Sequence, residues 1–213
     1  MARTKTAFVF AGGGSLGAIE VGMLRTLNEA EVTADFVVGS STGAINAAHF
    51  AGDPTADGIR RLEAIWRTVK RSTVVPARPA RSVMALFGMR NSIVTPTPLR
   101  LLLERELSYE ALEDARMPCH VVATDVRNGE EVLLSSGSAV EALLASIAIP
   151  GVFPPVSVQG RQLIDGGIAS NTPIAAAVAL GARRVIVLPT GFSCQIDEVP
   201  RDALGIALHA LNL

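Results

Sequence analysis

Residues 35–52 read DFVVGSSTGAINAAHFAG. Asp35 to Gly39 is a short apolar run rich in β-branched and aromatic residues, as expected of a buried strand, and TGAINAAHFAG is a small-residue run suited to a helix lying close against a sheet. Ser40 and Ser41 turn the chain directly from one into the other. Within the junction, Gly39-Ser40-Ser41-Thr42-Gly43 is an instance of G-x-S-x-G, in which glycines on both sides permit a turn tight enough to lift the Ser41 side chain clear of the sheet. The competing reading of the same residues is a serine-rich helix N-cap.

Upstream, FVFAGGGSLGA at residues 8–18 repeats the strand, turn, helix order. Gly12-x-Gly14-x-x-Gly17 satisfies the dinucleotide-binding fingerprint, and the same backbone N–H groups at a helix start would equally suit a developing oxyanion. The nucleotide reading has a weakness, because an acidic residue for the ribose belongs at the end of the second strand and Asp35 stands at its start.

Outward from these turns, strands are expected at Thr6–Ala11, Cys119–Thr124, Val132–Ser135, Arg161–Asp165 and Arg184–Leu188. Helices are expected at Ala18–Ala30, Ala56–Val69, Leu99–Glu113, Ala139–Ser146, Ile174–Leu180 and Arg201–Leu213. Helices alternating with short β-branched strands imply a three-layer α/β/α sandwich with a mainly parallel central sheet. The 213 residues fit a single domain, 1–213, with residues 72–98 as an irregular lid-like insertion rich in Pro, Arg, Met and Ser. The last helix reaches Leu213 without a C-cap, which leads to the expectation that the natural domain continues.

The composition is 49% hydrophobic and 18% charged, yet every long apolar run is broken by Gly, Glu or Arg, so no membrane-spanning helix is expected. Basic residues before AFVFAGGG superficially suggest a signal peptide, but the glycines and Glu20 follow too soon and a first strand is the better reading. Cys119 and Cys194 lack metal spacing and suit reduced, structural thiols of a cytoplasmic protein. A net charge of -1 and 4% aromatic residues argue against nucleic-acid binding. Between Glu63 and Glu104 no acidic residue occurs, while Arg67, Lys70, Arg71, Arg78, Arg81, Arg90 and Arg100 all fall there. This cationic stretch, 67–100, with Val83, Met84, Leu86, Phe87 and Met89 among its charges, has two readings: a peripheral contact with anionic membrane, or a solvated loop with its apolar residues turned inward.

A serine hydroxyl needs a neighbour to take its proton. His49 is eight residues past Ser41 on the same helix and out of reach by helix geometry, and His120 opens a strand with no motif around it. His209 completes the chain order Ser, Asp, His of α/β-hydrolase triads but sits inside a helical pattern. Asp165, in LIDGG, stands at a strand end with Gly166 and Gly167 behind it, where it would serve either catalysis or the capping of its own turn. Asn171 is expected to fix the turn that follows.

GGGSLGA, GSSTGA, ASIAIPGVFPPV and IDGG, in that order between residues 12 and 167, resemble the patatin-like phospholipase family. The resemblance implies a Ser-Asp dyad without histidine, in which Ser41 is the nucleophile, Asp165 the general base, and Gly13 and Gly14 the oxyanion-hole donors. Gly12, Gly17, Gly39, Gly43, Gly166 and Gly167 would then support the motifs. It further implies a lipid or acyl-ester substrate and no metal or organic cofactor. One position departs from the pattern: Leu16 stands where the family usually has Arg or Lys, which brings neutral acyl esters alongside phospholipids as substrates.

Overall fold

The computed structural model describes residues 4–69 and 95–191. Most of the cationic stretch and of the expected lid, Cys194, His209 and the expected terminal helix lie outside the described residues. In chain order the elements are β1 (Thr6–Phe10), α1 (Ala18–Glu29), β2 (Phe36–Ser40), α2 (Thr42–Gly52), α3 (Ala56–Thr68), α4 (Thr97–Glu106), β3 (Cys119–Asp125) and β4 (Glu131–Leu134). They continue with α5 (Ala139–Ser146), β5 (Val156–Val158), β6 (Arg161–Asp165), α6 (Gly167–Ser170), α7 (Ile174–Ala179) and β7 (Arg184–Leu188). Short 3-10 turns occupy Gly14–Gly17 and Leu112–Asp114.

β1 and β2 are buried along their whole length, as strands covered by helices on both faces must be. Alternation divides their side chains. Phe8, Phe10, Val37, Val121 and Ala123 join the large core with residues of α1 to α5, and Phe50 of α2 lies against Phe8 and Phe10 with ring centroids 6.0 and 6.4 Å away. Ala7, Val9, Val38 and Val122 face the other way onto Ala176 and Ala177 of α7. These are the three layers expected from the alternating pattern.

The centre of the sheet is parallel, β7-β1-β2-β3. The remaining strands add to β3 and vary the direction: β4 and β6 both pair with it antiparallel, and β5 pairs antiparallel with β6. Val121 and Val122 are bridged to β2 on one side and to β4 on the other, whereas Ala123 and Thr124 are bridged to β4 and β6. A strand has only two edges, so β2 and β6 share one edge of β3 and meet there end to end. Ser40, the last residue of β2, pairs with Val122, and Asp165, the last of β6, pairs with Ala123. Two strand C-termini therefore converge on consecutive residues of one strand.

Some boundaries differ from the sequence expectation. The helix expected at Leu99–Glu113 runs from Thr97 to Glu106. Beyond it the Tyr109 hydroxyl donates to the Ala48 carbonyl at 2.9 Å and the Glu110 carbonyl accepts from Ala139 N–H at 2.8 Å, contacts that draw the chain out of the helix. Residues 97 and 98, expected in the irregular insertion, form the first turn of α4. Strand β5 was not expected; its three residues are too few to show a period. Ser138 caps α5 through Glu141 N–H, as the Ser138-x-x-Glu141 spacing favours. Cys119 is buried with a free thiol, and burial pushes its pKa up to about 12, so it stays protonated and inert.

Candidate active site

Ser41 follows β2 directly and precedes the first residue of α2. Its backbone has φ 52° and ψ -127°, a positive-φ conformation that costs a non-glycine residue about 1–3 kcal/mol and persists only where the surroundings enforce it. Two contacts supply that enforcement. Ser41 N–H donates to Ser146 Oγ at 2.9 Å, and the Ser146 hydroxyl donates to the Val122 carbonyl of β3 at 2.6 Å. Gly43 lets α2 approach β1: a Cβ there would fall 2.5 Å from the Ala11 carbonyl oxygen. The G-x-S-x-G stretch thus adopts the strained strand-to-helix turn its glycines were expected to allow.

The Ser41 hydroxyl donates to Asp165 Oδ2 at 2.8 Å, across 124 residues of chain. The other carboxylate oxygen, Oδ1, accepts from Gly167 N–H at 2.8 Å. One oxygen thus caps the Asp-Gly-Gly turn and the other meets the serine hydroxyl. The Asp165 backbone is fixed on both sides: its N–H donates to the Ala148 carbonyl at 3.0 Å and its carbonyl accepts from Thr124 Oγ1 at 2.7 Å. Asp165 is 5% exposed. Burial disfavours its charged form and raises its pKa from 3.8 to about 6, against the opposing pull of the Ser41 hydroxyl and Gly167 N–H. A carboxylate in that range takes a proton from a bound hydroxyl more readily than an ordinary aspartate.

The glycine loop lies beside this pair because β1 neighbours β2 and both loops leave the same end of the parallel strands. Gly12 N–H donates to the Asn171 carbonyl at 2.9 Å, and the Gly12 carbonyl accepts from Thr190 Oγ1 at 2.6 Å and Asn171 Nδ2 at 3.3 Å. Asn171 therefore holds the glycine loop as well as following the Asp165 turn. Among the described residues, nothing accepts a hydrogen bond from Gly13 or Gly14 N–H. Asp35 lies at the opposite end of the strands, where its carboxylate accepts from Thr6 N–H at 2.7 Å, so it does not stand at the end of β2 where a dinucleotide site needs its ribose-binding acid.

No described histidine bonds to Ser41. His49, on α2, has its pKa lowered to about 4, chiefly by burial, and His120 Nδ1 lies 2.7 Å from Ser135 Oγ with its ring edge-on to Phe36. Ser146 lies within the ASIAIPGVFPPV block, whereas four other polar groups around the site, Thr124, Thr190, Glu20 and Asn46, have no motif of their own. All are buried, which was the one available signal, a hydroxyl, amide or carboxyl in an otherwise apolar run. Arg67 and Arg100, the described ends of the cationic stretch, are paired with Glu63 and with Glu141 and Glu104 respectively.

A serine held at positive φ between strand and helix, bonded to a buried aspartate beside a glycine loop, defines a nucleophile-elbow α/β domain. The chain belongs to the patatin-like phospholipase family, whose sequence model matches residues 8–178. Patatin-like phospholipase domain-containing protein 6 of Mus musculus is 28% identical over 193 residues, covering 90% of this chain and 14% of its own length. Lysophospholipase NTE1 of Scheffersomyces stipitis is 26% identical over 183 residues, 86% of this chain and 11% of its own. The chain therefore spans only a small part of these curated relatives. Among solved structures, VipD from Legionella pneumophila shares the fold with a TM-score of 0.57 at 15% identity, over 86% of this chain and 49% of its own. Among the described residues, no helix is long and apolar enough to cross a membrane.

Proposed function

We propose that this chain is a serine hydrolase of lipid acyl esters that works through Ser41 and Asp165. The observation that carries the reading is the 2.8 Å hydrogen bond from Ser41 Oγ to a carboxylate oxygen of the buried Asp165, at the meeting point of β2 and β6. As Ser41 Oγ attacks the ester carbonyl, Asp165 takes the hydroxyl proton, and Gly13 and Gly14 N–H donate to the oxyanion. Collapse breaks the bond to the alcohol, which leaves with the proton from Asp165. Water then loses a proton to Asp165, attacks the acyl-serine and releases the fatty acid, returning the proton to Ser41. Each oxyanion donor is worth about 3 kcal/mol of transition-state stabilisation.

Leu16, 48% exposed at the end of the glycine loop, brings no charge to a phosphate, so phospholipid and neutral lipid esters both fit. Contact of residues 67–100 with anionic membrane belongs to the same proposal and is tested by sedimentation with phosphatidylglycerol vesicles. The deciding experiment is intact mass after exposure to a fluorophosphonate. Wild type should gain one adduct that Ser41→Ala lacks, and Asp165→Asn should lose ester hydrolysis while remaining folded. A folded wild-type chain that takes no adduct would instead make this domain a non-catalytic scaffold.

A further inference from the structure

Glu20 is a carboxyl group that the dyad does not use. It is fully buried in the first turn of α1, the helix that leaves the glycine loop. Its Oε2 accepts from Asn46 Nδ2 at 2.7 Å, while its Oε1 has no hydrogen-bond partner among the described residues. The same Asn46 nitrogen donates to the Gly17 carbonyl at 2.8 Å, and Asn46 Oδ1 accepts from the Trp66 indole N–H at 2.8 Å. Asn46 is itself fully buried, on α2, five residues after Ser41. A single amide thus ties the exit of the glycine loop, the nucleophile helix and α3 together.

Gly17 sits where these elements touch. A Cβ on it would lie 2.6 Å from Thr42 Cγ2 and 3.0 Å from a Trp66 ring carbon, so the loop exit rests against the residue that follows Ser41. The proposed oxyanion donors and the nucleophile stand on different elements, and their relative placement needs a rigid link, because a shift of about 1 Å in a reacting constellation can cost about a hundredfold in rate. Burial raises the Glu20 pKa to about 8, so its carboxyl is mainly protonated at neutral pH and acts as a hydrogen-bonding group more than as a counter-ion.

We propose that Glu20, Asn46 and Trp66 form a positioning unit that holds the glycine loop in register with the Ser41 elbow, and that this unit sets turnover without touching substrate. The inference rests on the hydrolase reading above. It gives Glu20 a task that accounts for burying a carboxyl there, and it makes glutamine, a neutral group of the same shape, the replacement that keeps the link.

The test measures kcat and KM for p-nitrophenyl butyrate, and the rate of fluorophosphonate labelling, on the full chain at neutral pH. Asn46→Leu and Glu20→Leu should lower kcat by about 10- to 100-fold with KM within about threefold and labelling slowed in parallel, whereas Glu20→Gln should restore kcat to within about threefold of wild type. Trp66→Phe, which keeps the ring and removes one N–H donor, should lower kcat by more than about threefold at unchanged KM. Wild-type kcat in folded Asn46→Leu would overturn the proposal, as would a Glu20→Gln variant as impaired as Glu20→Leu. If the leucine variants do not fold, Trp66→Phe decides, and an unchanged kcat there overturns it. A wild-type chain that is neither labelled nor active overturns the hydrolase reading and this inference with it; a labelled wild type matched by an equally labelled Asn46→Leu overturns the positioning unit alone.

Discussion

Activity should fall with acid through about pH 6, far above the range of an ordinary aspartate, because the general base we assign is a buried one. Asp165 must be unprotonated to accept the Ser41 proton. Burial raises its pKa from 3.8 to about 6, and the two hydrogen bonds it accepts, from Ser41 and Gly167, recover only part of that penalty. The unprotonated fraction is then about a tenth at about pH 5 and about a hundredth at about pH 4, and kcat/KM for a soluble short-chain ester should drop in the same proportion. Samples held at each pH and returned to neutral separate titration from unfolding. A profile flat down to about pH 4.5 would refute the reasoning, since it would require a carboxylate of ordinary acidity at the site.

The same burial has a stability consequence of opposite sign. A carboxyl whose folded value is raised favours the folded state most below its unfolded value of 3.8, and that advantage is lost as pH rises through about 6. The full difference corresponds to about 3 kcal/mol. Asp165→Asn removes the buried charge, so it should abolish hydrolysis and yet raise the unfolding free energy read from urea titration at about pH 7, by at most that amount, with the gain vanishing near about pH 4. Loss of activity accompanied by lower stability at neutral pH would mean that the hydrogen bonds of Asp165 outweigh its desolvation.

Ser146→Ala leaves Ser41 N–H and the Val122 carbonyl without their shared partner in a buried position. Urea denaturation should therefore show a loss of about 2–5 kcal/mol, with phosphonate labelling slowed as the elbow relaxes. His49, whose pKa burial lowers from 6.5 to about 4, stays neutral in the fold while the unfolded chain protonates, so Tm should decline as pH falls from about 6.5 towards about 4. His49→Gln should flatten that decline, and an unchanged acid profile in the variant would place the sensitivity elsewhere.

The parts of the site that could be read from sequence are those whose chemistry is local. Glycine turns between an apolar strand and a helix announce themselves within a dozen residues, which is why the elbow, the glycine loop and the strand ending in Asp165 were legible. The extent of α4 was not, because contacts from Tyr109 and Glu110 to other elements overrode a helical pattern that continues past Glu106. The supporting polar groups were invisible for a related reason. Ser146 finds the Val122 carbonyl 24 residues away and Thr190 finds the Gly12 carbonyl 178 residues away, and no spacing rule connects such pairs.

The register of β6 on β3 decides whether Asp165 meets Ser41 at all. A slip of one residue would turn the carboxylate to the opposite face of the sheet. The end of α5 guards against that slip, since the Ser146 carbonyl accepts from Gly166 N–H at 3.1 Å and the Ala148 carbonyl accepts from Asp165 N–H at 3.0 Å. The hydroxyl of the same Ser146 holds Ser41 N–H and the β3 carbonyl between the two strand ends. One short segment, ASIA at residues 145–148, therefore fixes both halves of the proposed dyad against the strand they share. This gives a physical reason for a sequence block that supplies neither of the residues in the proposed dyad, and it accounts for the direct hydrogen bond between Ser41 and Asp165: the aspartate is carried to the serine by a strand end, with its backbone anchored on either side.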